Sequence, residues 1–328
     1  MDAPQVTLRS AKDREIVHLE YDDPLNVPSV SSGYTRFVCV SDTHSRRFPV
    51  PDGDVLLHSG DLTNTGTLAE FEQTMDWICG LPHKLKIIIA GNHDLPLHAE
   101  WYKQNHARWS GYGHSAPQDL GPIVELLKGK KAQKANVVYL QDELHSFQTT
   151  EGGRTWSVYG SPWSPEYLNW AFGYSAAEGP ALVAKFPKSD ILFVSSSFLI
   201  LRSSSRAVFR LTHGPPRGVF DRTVRGDLPG CLALIDALPR LRPRLHLFGH
   251  IHEAHGAHIH SWSKGNIRDV QNSTLAAQDI ELPEAVDSDE VTVFVNAANW
   301  PMGQRKQEYM TRQFGGPGFR AVVVDMLD

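Results

Sequence analysis

Several short apolar runs in this chain stop abruptly at small and polar residues. Arg36-Phe37-Val38-Cys39-Val40 runs into Ser41-Asp42-Thr43-His44, and Asp54-Val55-Leu56-Leu57-His58-Ser59 runs into Gly60-Asp61. Lys86-Ile87-Ile88-Ile89-Ala90 runs into Gly91-Asn92-His93-Asp94, and Arg244-Leu245-His246-Leu247-Phe248 runs into Gly249-His250-Ile251-His252. Near-continuous apolar runs of about five residues are the signature of strands buried on both faces. Further strands are expected at Val137–Leu140, Thr155–Tyr159, Ala257–Ser263, Val291–Val295 and Ala321–Val324, the ones after His252 as a hairpin or meander.

Between these runs the period changes. Leu68, Phe71, Met75 and Ile78 fall near helical spacing, with Thr67 as N-cap and Gly80 near the end, so a helix is predicted over Thr67 to Leu81. A shorter helix is predicted over Leu232 to Leu238, stopped by Pro239. Alternating strands and helices predict an α/β sheet in one domain without an internal repeat. Two stretches read as insertions: the polar, weakly periodic residues 264–290, and 193–211, where apolar residues are broken by Ser and Arg. The second is too short and too polar to span a membrane. Without it, Asp190-Ile191-Leu192 would enter Thr212-His213 directly, as an in-frame translated intron would leave it.

Each apolar run delivers its polar cluster to a strand C-terminus, the edge at which open α/β sheets bind ligands. Asp, Asn and His are the ligands suited to Mn, Fe, Zn or Ni. Asp42 and His44 are two apart, as are His250 and His252, and in an extended segment that spacing points both side chains the same way. The glycines beside Asp61, Asn92 and His250 permit tight turns and close backbone approach. Singly, each motif reads equally as a turn; the ordered set, each member after a strand, points to a metal centre.

Bulk properties narrow the class. The 328 residues are 41% hydrophobic, enough for a core without disulfide staples. Cys39, Cys79 and Cys231 form no CxxC pair, which fits a reducing, intracellular and cytoplasmic setting, and the polar N-terminus does not read as a secretory signal. Asn272-Ser273-Thr274 is taken as a chance glycosylation match. A net charge of −5 gives no general attraction to nucleic acid or membrane, and the basic run Lys128 to Lys134 reads as a solvated helix end. The 16 histidines reinforce the metal reading.

Asp42-x-His44, Gly60-Asp61-x-x-Asn64, Gly91-Asn92-His93-Asp94, Thr212-His213-Gly214 and Gly249-His250-x-His252 resemble the five blocks of the calcineurin-like metallophosphoesterases. Gly160-Ser161-Pro162-Trp163, Asn169-Trp170-Ala171-Phe172 and His213-Gly214-Pro215-Pro216 resemble the metallophosphoesterase-domain-containing branch, which is similar to class III cyclic-nucleotide phosphodiesterases. The resemblance runs from about Arg36 to Trp300. It implies a four-layer α/β sandwich, two mixed β-sheets flanked by helices. It also implies two divalent metal ions, manganese among the candidates: Asp42, His44 and His252 on the first, Asn92, His213 and His250 on the second, and Asp61 bridging. His93 would protonate the leaving oxygen as hydroxide from a metal-bound water attacks in line. Asp94 either orients His93 or serves the turn. Asn64 and Asn296 would support the site from behind or serve turns, His58 would be a core or supporting residue, and His255 and His258 surface or supporting residues rather than ligands. Trp163, Trp170 and Phe172 either stack a base or pack a loop on the sheet. The expected activity is hydrolysis of phosphodiesters, cyclic or other small nucleotides among them, with no nucleic-acid or membrane partner and an open oligomeric state. The rivals are a phosphomonoesterase or protein phosphatase, and a low-turnover nucleotide- or metal-binding regulatory module, kept open by the segment before His213.

Overall fold

The computed structural model describes residues 6–187, 208–267, 270, 290–300 and 320–328. In chain order the main elements are β1 (Val6–Arg9), β2 (Glu15–Glu20), β3 (Tyr34–Val40), β4 (Val55–Ser59), α1 (Leu68–Gly80), β5 (Leu85–Ile89), α2 (Ala99–Asn105), α3 (Leu120–Lys128), α4 (Lys130–Lys134), β6 (Val137–Leu140) and β7 (Glu143–Phe147). They continue with β8 (Trp156–Ser161), β9 (Ser164–Pro165), β10 (Gly173–Tyr174), α5 (Gly179–Ala184), β11 (Val208–Thr212), α6 (Leu232–Leu241), β12 (Leu245–Phe248), β13 (Gly256–Ser261), β14 (Val291–Asn296) and β15 (Val322–Leu327).

Two mixed sheets result, a 7-stranded one in the order β1-β2-β15-β3-β4-β5-β6 and a 6-stranded one in the order β13-β14-β12-β11-β8-β7. One apolar cluster lies between them, with Phe37, Cys39, Leu57 and Ile87 of the first sheet against Val158, Leu211, Leu247 and Val295 of the second. The other face of the first sheet is covered by α1 and α3 through Phe71, Met75, Ile78, Ile123 and Leu127. The other face of the second is covered by α6 and the segment around Phe220. That is the expected four-layer sandwich, and it explains the runs: β3, β4 and β5 are pressed on both faces, so both side-chain parities are apolar.

α1 starts where its sequence says. Thr67 Oγ1 accepts from the Glu70 amide and the Glu70 carboxylate reaches back to the Thr67 amide, a reciprocal capping box. α6 departs from expectation. It runs through Pro239 to Leu241, because Leu238 and Leu241 are both buried and Arg242, at φ 37°, closes the end with its amide on the Leu238 carbonyl. A proline in a last turn removes one backbone bond, and burial of Leu241 offsets it. The expected meander after His252 is also only part of the outcome. β13 and β14 pair antiparallel, but β15 crosses to the first sheet and inserts between β2 and β3. Of the two predicted insertions, 193–207 lies outside the described residues, and so does most of 264–290. Val208–Thr212 is the strand that leads into His213, parallel to both β8 and β12. No helix among the described residues is long and apolar enough to cross a membrane.

Candidate metal centre

β3, β4, β5, β11 and β12 are parallel within their sheets, and the C-terminal ends of the two sheets are tied together: Ser59 Oγ donates to the Thr212 carbonyl at 2.5 Å. Their exit loops zip to one another. The Asp42 amide donates to the Gly60 carbonyl, the His44 amide to the Asp61 carbonyl, and the Gly249 amide to the His213 carbonyl. The polar clusters that trail five separate strands therefore meet at one place.

There they form two groups of ligand atoms that share a carboxylate. Asp42, His44, Asp61 and His252 make one, Asp61, His213 and His250 the other, with the atoms of each group within 4.8 Å of one another. Asn92 joins the second group, its Oδ1 being 2.8 Å from His213 Nε2. In the first, His252 Nε2 is 3.0 Å from Asp42 Oδ1 and 3.4 Å from His44 Nε2. His213 Nε2 is 3.4 Å from Asp61 Oδ1 and His44 Nε2 is 3.9 Å from Asp61 Oδ2.

The partners of the ring nitrogens suit a set that could hold metal. His44 Nδ1 faces the Thr63 carbonyl at 3.2 Å and His213 Nδ1 faces the Ser59 carbonyl at 3.0 Å. A carbonyl oxygen only accepts, so in the neutral ring the proton sits on Nδ1 and Nε2 presents a lone pair. The lone pair of His213 then faces Asn92 Oδ1, and that of His44 faces the His252 ring. Lone pairs aimed at one another across about 3 Å repel unless a proton or a metal cation lies among them, and oxygen and imidazole donors of this kind suit divalent transition metals. The carbonyls of Thr63 and Ser59 hold the rings in that orientation.

Electrostatics point the same way. Burial by itself raises the Asp42 carboxyl, but His252 and then His213 outweigh it and hold it at about 2. Burial likewise opposes ionisation of Asp61, and His213, His93 and His44 together hold it well below the ordinary range. Burial drives His44 down to about 3, helped by His93, and His250 to about 3, helped by His213. Burial also disfavours charge on His213, yet Asp61 and then Asp42 pull it up to about 9, a measure of the negative field a cation would meet there.

The backbone is bent to make these contacts. Asp42 (φ 55°), His44 (46°), Asp61 (52°) and His250 (68°) are all left-handed, at roughly 1–2 kcal/mol each for residues with a Cβ. This corrects the sequence reasoning about side-chain direction. Asp42 and His44 converge from left-handed turns, not from an extended segment, and His252 opens a short 3-10 turn. The flanking glycines provide room. A Cβ on Gly91 would stand 2.3 Å from Asp61 Oδ1, and one on Gly249 would stand 2.0 Å from Asp42 Oδ2.

His93 borders the centre without joining either group. Its amide donates to Asp61 Oδ1 at 2.8 Å, and its half-buried ring packs edge-on to His44 at 4.6 Å. Asp94 lies in the turn after β5. Its carboxylate is buried and accepts from the amides of Leu62, Thr63 and Gly91 and from Thr63 Oγ1, pinning the loops after β4 and β5 to each other. Burial, with Asp61's charge added, pushes its carboxyl up to about 7, against the pull of those donors. The Asn64 carbonyl lies 2.6 Å from His93 Nδ1. Asn64's side-chain amide donates to the His44 carbonyl at 3.1 Å.

His58 is buried, with Nε2 at 2.9 Å from Thr43 Oγ1 behind Asp42. Asn296 is buried and spans the Phe220 and Ile251 carbonyls and the Ala298 amide, steadying the loop that carries His252. His255 is buried against the Ala298 carbonyl, not at the surface, and neither it nor His258 joins a ligand group. Phe172 is fully buried and Trp163 is tied to Asp142, so both pack the loop, whereas Trp170 lies tilted across His93 at 4.3 Å. The carbonyls of Thr63, Ser59 and Asn64 escaped sequence reading because a backbone oxygen carries no residue signature.

The calcineurin-like phosphoesterase family model matches residues 35–254. The chain is 37% identical over 249 residues to metallophosphoesterase domain-containing protein 1 of Homo sapiens, covering 73% of this chain and 67% of that protein. It is 32% identical over 254 residues to a UPF0046 protein of Caenorhabditis elegans, covering 76% and 75%. Among solved structures, the protein TT1561 of Thermus thermophilus is similar with a TM-score of 0.35 and 13% identity, over 82% of this chain and 90% of that one. The chain belongs to the calcineurin-like phosphoesterase family.

Proposed function

We propose that this calcineurin-like phosphoesterase hydrolyses phosphodiesters at two divalent metal ions, small nucleotides being the substrate class. The observation that carries the reading is the single carboxylate, Asp61, shared between two convergent ligand groups. Asp42, His44 and His252 would hold one ion, Asn92, His213 and His250 the other, with Asp61 between. Bound there, such ions supply Lewis acidity toward the phosphoryl oxygens and lower the pKa of water near them.

The chain's own residues do the rest. Asp61 accepts from the His93 amide, which fixes the loop that carries the imidazole, and its charge would offset the repulsion between two bound cations. As the imidazolium, His93 keeps one proton on Nδ1, donated to the Asn64 carbonyl, and carries a second on Nε2, which would face the substrate. From Nε2 a proton passes to the departing oxygen as its bond to phosphorus breaks, worth roughly 10²–10⁴-fold in rate. Asp94 holds the loops after β4 and β5 in register without touching substrate. β11 leads directly to His213, which favours turnover over a purely regulatory module. An intracellular setting remains part of the proposal.

The test is hydrolysis of bis(4-nitrophenyl) phosphate and 4-nitrophenyl phosphate by metal-stripped protein, with and without manganese. Manganese-dependent cleavage of the diester supports the reading. Preference for the monoester moves it to a phosphatase, and no turnover of either by folded, metal-loaded protein rejects it.

A further inference from the structure

We infer that Trp170, held by a clamped loop, is a positioning residue for His93. The inference rests on the reading of His93 as the proton donor. Three contacts fix the imidazole: the Asn64 carbonyl at Nδ1, the His44 ring edge-on, and the Trp170 indole tilted 35° across its face at 4.3 Å. The first leaves the ring free to pivot about the Nδ1–O line, and the indole face removes that freedom. An imidazole that must give up a proton in one direction gains from such restraint, since a misplacement of about 1 Å costs on the order of 10²-fold in rate.

Trp170 is itself backed. Trp109 meets it edge-on at 5.2 Å, and Trp101 meets Trp109 at 5.5 Å. The loop before it is tied down residue by residue. Arg108 Nη1 donates to the Asn169 carbonyl at 2.6 Å and Nη2 to the Leu168 carbonyl at 3.0 Å, while Trp101 Nε1 donates to Asn169 Oδ1 at 2.9 Å. The backbone there is strained, with Leu168 and Asn169 at φ 50° and Phe172 at φ 55°. At Phe172 the strained backbone accompanies a fully buried side chain, but at Leu168 it does not bury the residue's own side chain, which is 66% exposed. What it accomplishes is to turn Trp170 back over His93. Strained, over-determined backbone of this kind collects at functional sites.

The experiment compares manganese-loaded wild-type, Trp170→Ala, Trp170→Phe, His93→Ala and the double variant on two methyl phosphodiesters, with 4-nitrophenol or phenol as leaving group. 4-Nitrophenolate departs with little help from an acid; phenolate needs it. The expected result is that Trp170→Ala lowers kcat on the phenyl ester on the order of 10-fold, part of the ~10²–10⁴-fold a general acid supplies. It leaves KM and the nitrophenyl ester nearly unchanged, Trp170→Phe restores most of the loss, and Trp170→Ala adds nothing to His93→Ala. Equal losses on both esters, a change in KM alone, or full additivity with His93→Ala would overturn the inference. Should Trp170→Ala fail to fold, Trp170→Phe and Arg108→Ala, which frees the loop, carry the same comparison. Tryptophan emission supplies a readout independent of turnover: His93→Ala should change it in the wild-type background and not in Trp170→Phe. If that contact is present but wild-type protein cleaves neither ester, the phosphoester reading falls and takes the inference with it. If wild-type cleaves both and the contact is absent, the inference alone falls.

Discussion

Gly91 sits where the two halves of the centre touch, and replacing it by alanine tests the whole arrangement. Its φ is not left-handed, so the dominant effect of alanine is steric. The added Cβ would lie 2.3 Å from Asp61 Oδ1, 2.4 Å from the Asp61 amide nitrogen and 2.7 Å from His213 Cε1, whereas ordinary contact begins at 3.4 Å. Something must therefore move by about 1 Å. The Asp61 carboxylate cannot retreat freely, because Oδ1 is bonded to the His93 amide, and His213 is held by the Ser59 carbonyl. Overpacking of this sort costs about 1–3 kcal/mol. A displacement of about 1 Å in the shared ligand should cost on the order of 10²-fold in rate. The assay has three arms: thermal denaturation of the stripped protein, manganese stoichiometry after dialysis, and diester hydrolysis. Gly91→Ala should lose stability, retain less metal and lose activity. Gly80→Ala, with nothing within 4 Å of its added Cβ, should be neutral or gain about 0.5–1 kcal/mol. A Gly91→Ala protein with wild-type metal content and turnover would refute the claim that this glycine exists to let β5 approach Asp61.

Metal should stabilise the fold, since the ligand groups are assembled only in the native state. Free manganese at 100 times its dissociation constant should add about 2.7 kcal/mol, read as a rise in Tm that disappears in Asp61→Ala. Away from the centre, Arg36 grips Asp325 through Nε and Nη2, both at 2.7 Å, with His18 at 3.3 Å. Asp325→Asn should cost about 3–5 kcal/mol by leaving a buried guanidinium without its charge partner, measured by urea denaturation. Burial opposes ionisation of Asp325, but the bonds from Arg36 and then His18 win and its pKa is lowered. Its contribution is thus fully present above the ordinary carboxylate pKa and lost as pH falls through the lowered one, so the wild-type advantage over Asp325→Asn should shrink in acid. Thr67→Ala removes the capping box of α1 and should cost about 0.5–2 kcal/mol, with metal content unchanged.

The amino-acid order by itself determined the strands that matter most and the polar clusters that follow them. β3, β4, β5 and β12 are pressed on both faces, so their composition is largely apolar on both parities, and the Asp, Asn and His after them interrupt that pattern unmistakably. α1 was legible for a similar reason, since its capping box and its buried stripe are local. β1, β2 and β7 were not legible. β7 is an edge strand with exposed and half-buried positions throughout, and β2 mixes Glu and His into a pattern whose burial comes from β15, some 300 residues later in the chain. Tertiary structure alone decided how the ligands meet. Left-handed turns at Asp42, His44, Asp61 and His250 aim the side chains, whereas the spacing of Asp42 with His44 and of His250 with His252 had suggested extended segments. The same holds for the carbonyls of Ser59, Thr63 and Asn64 that set the imidazole tautomers, and for the loop that lays Trp170 over His93. A sequence records which side chains are present and which faces are apolar. Where a backbone carbonyl points, and which distant loop it meets, follows only once both sheets have packed.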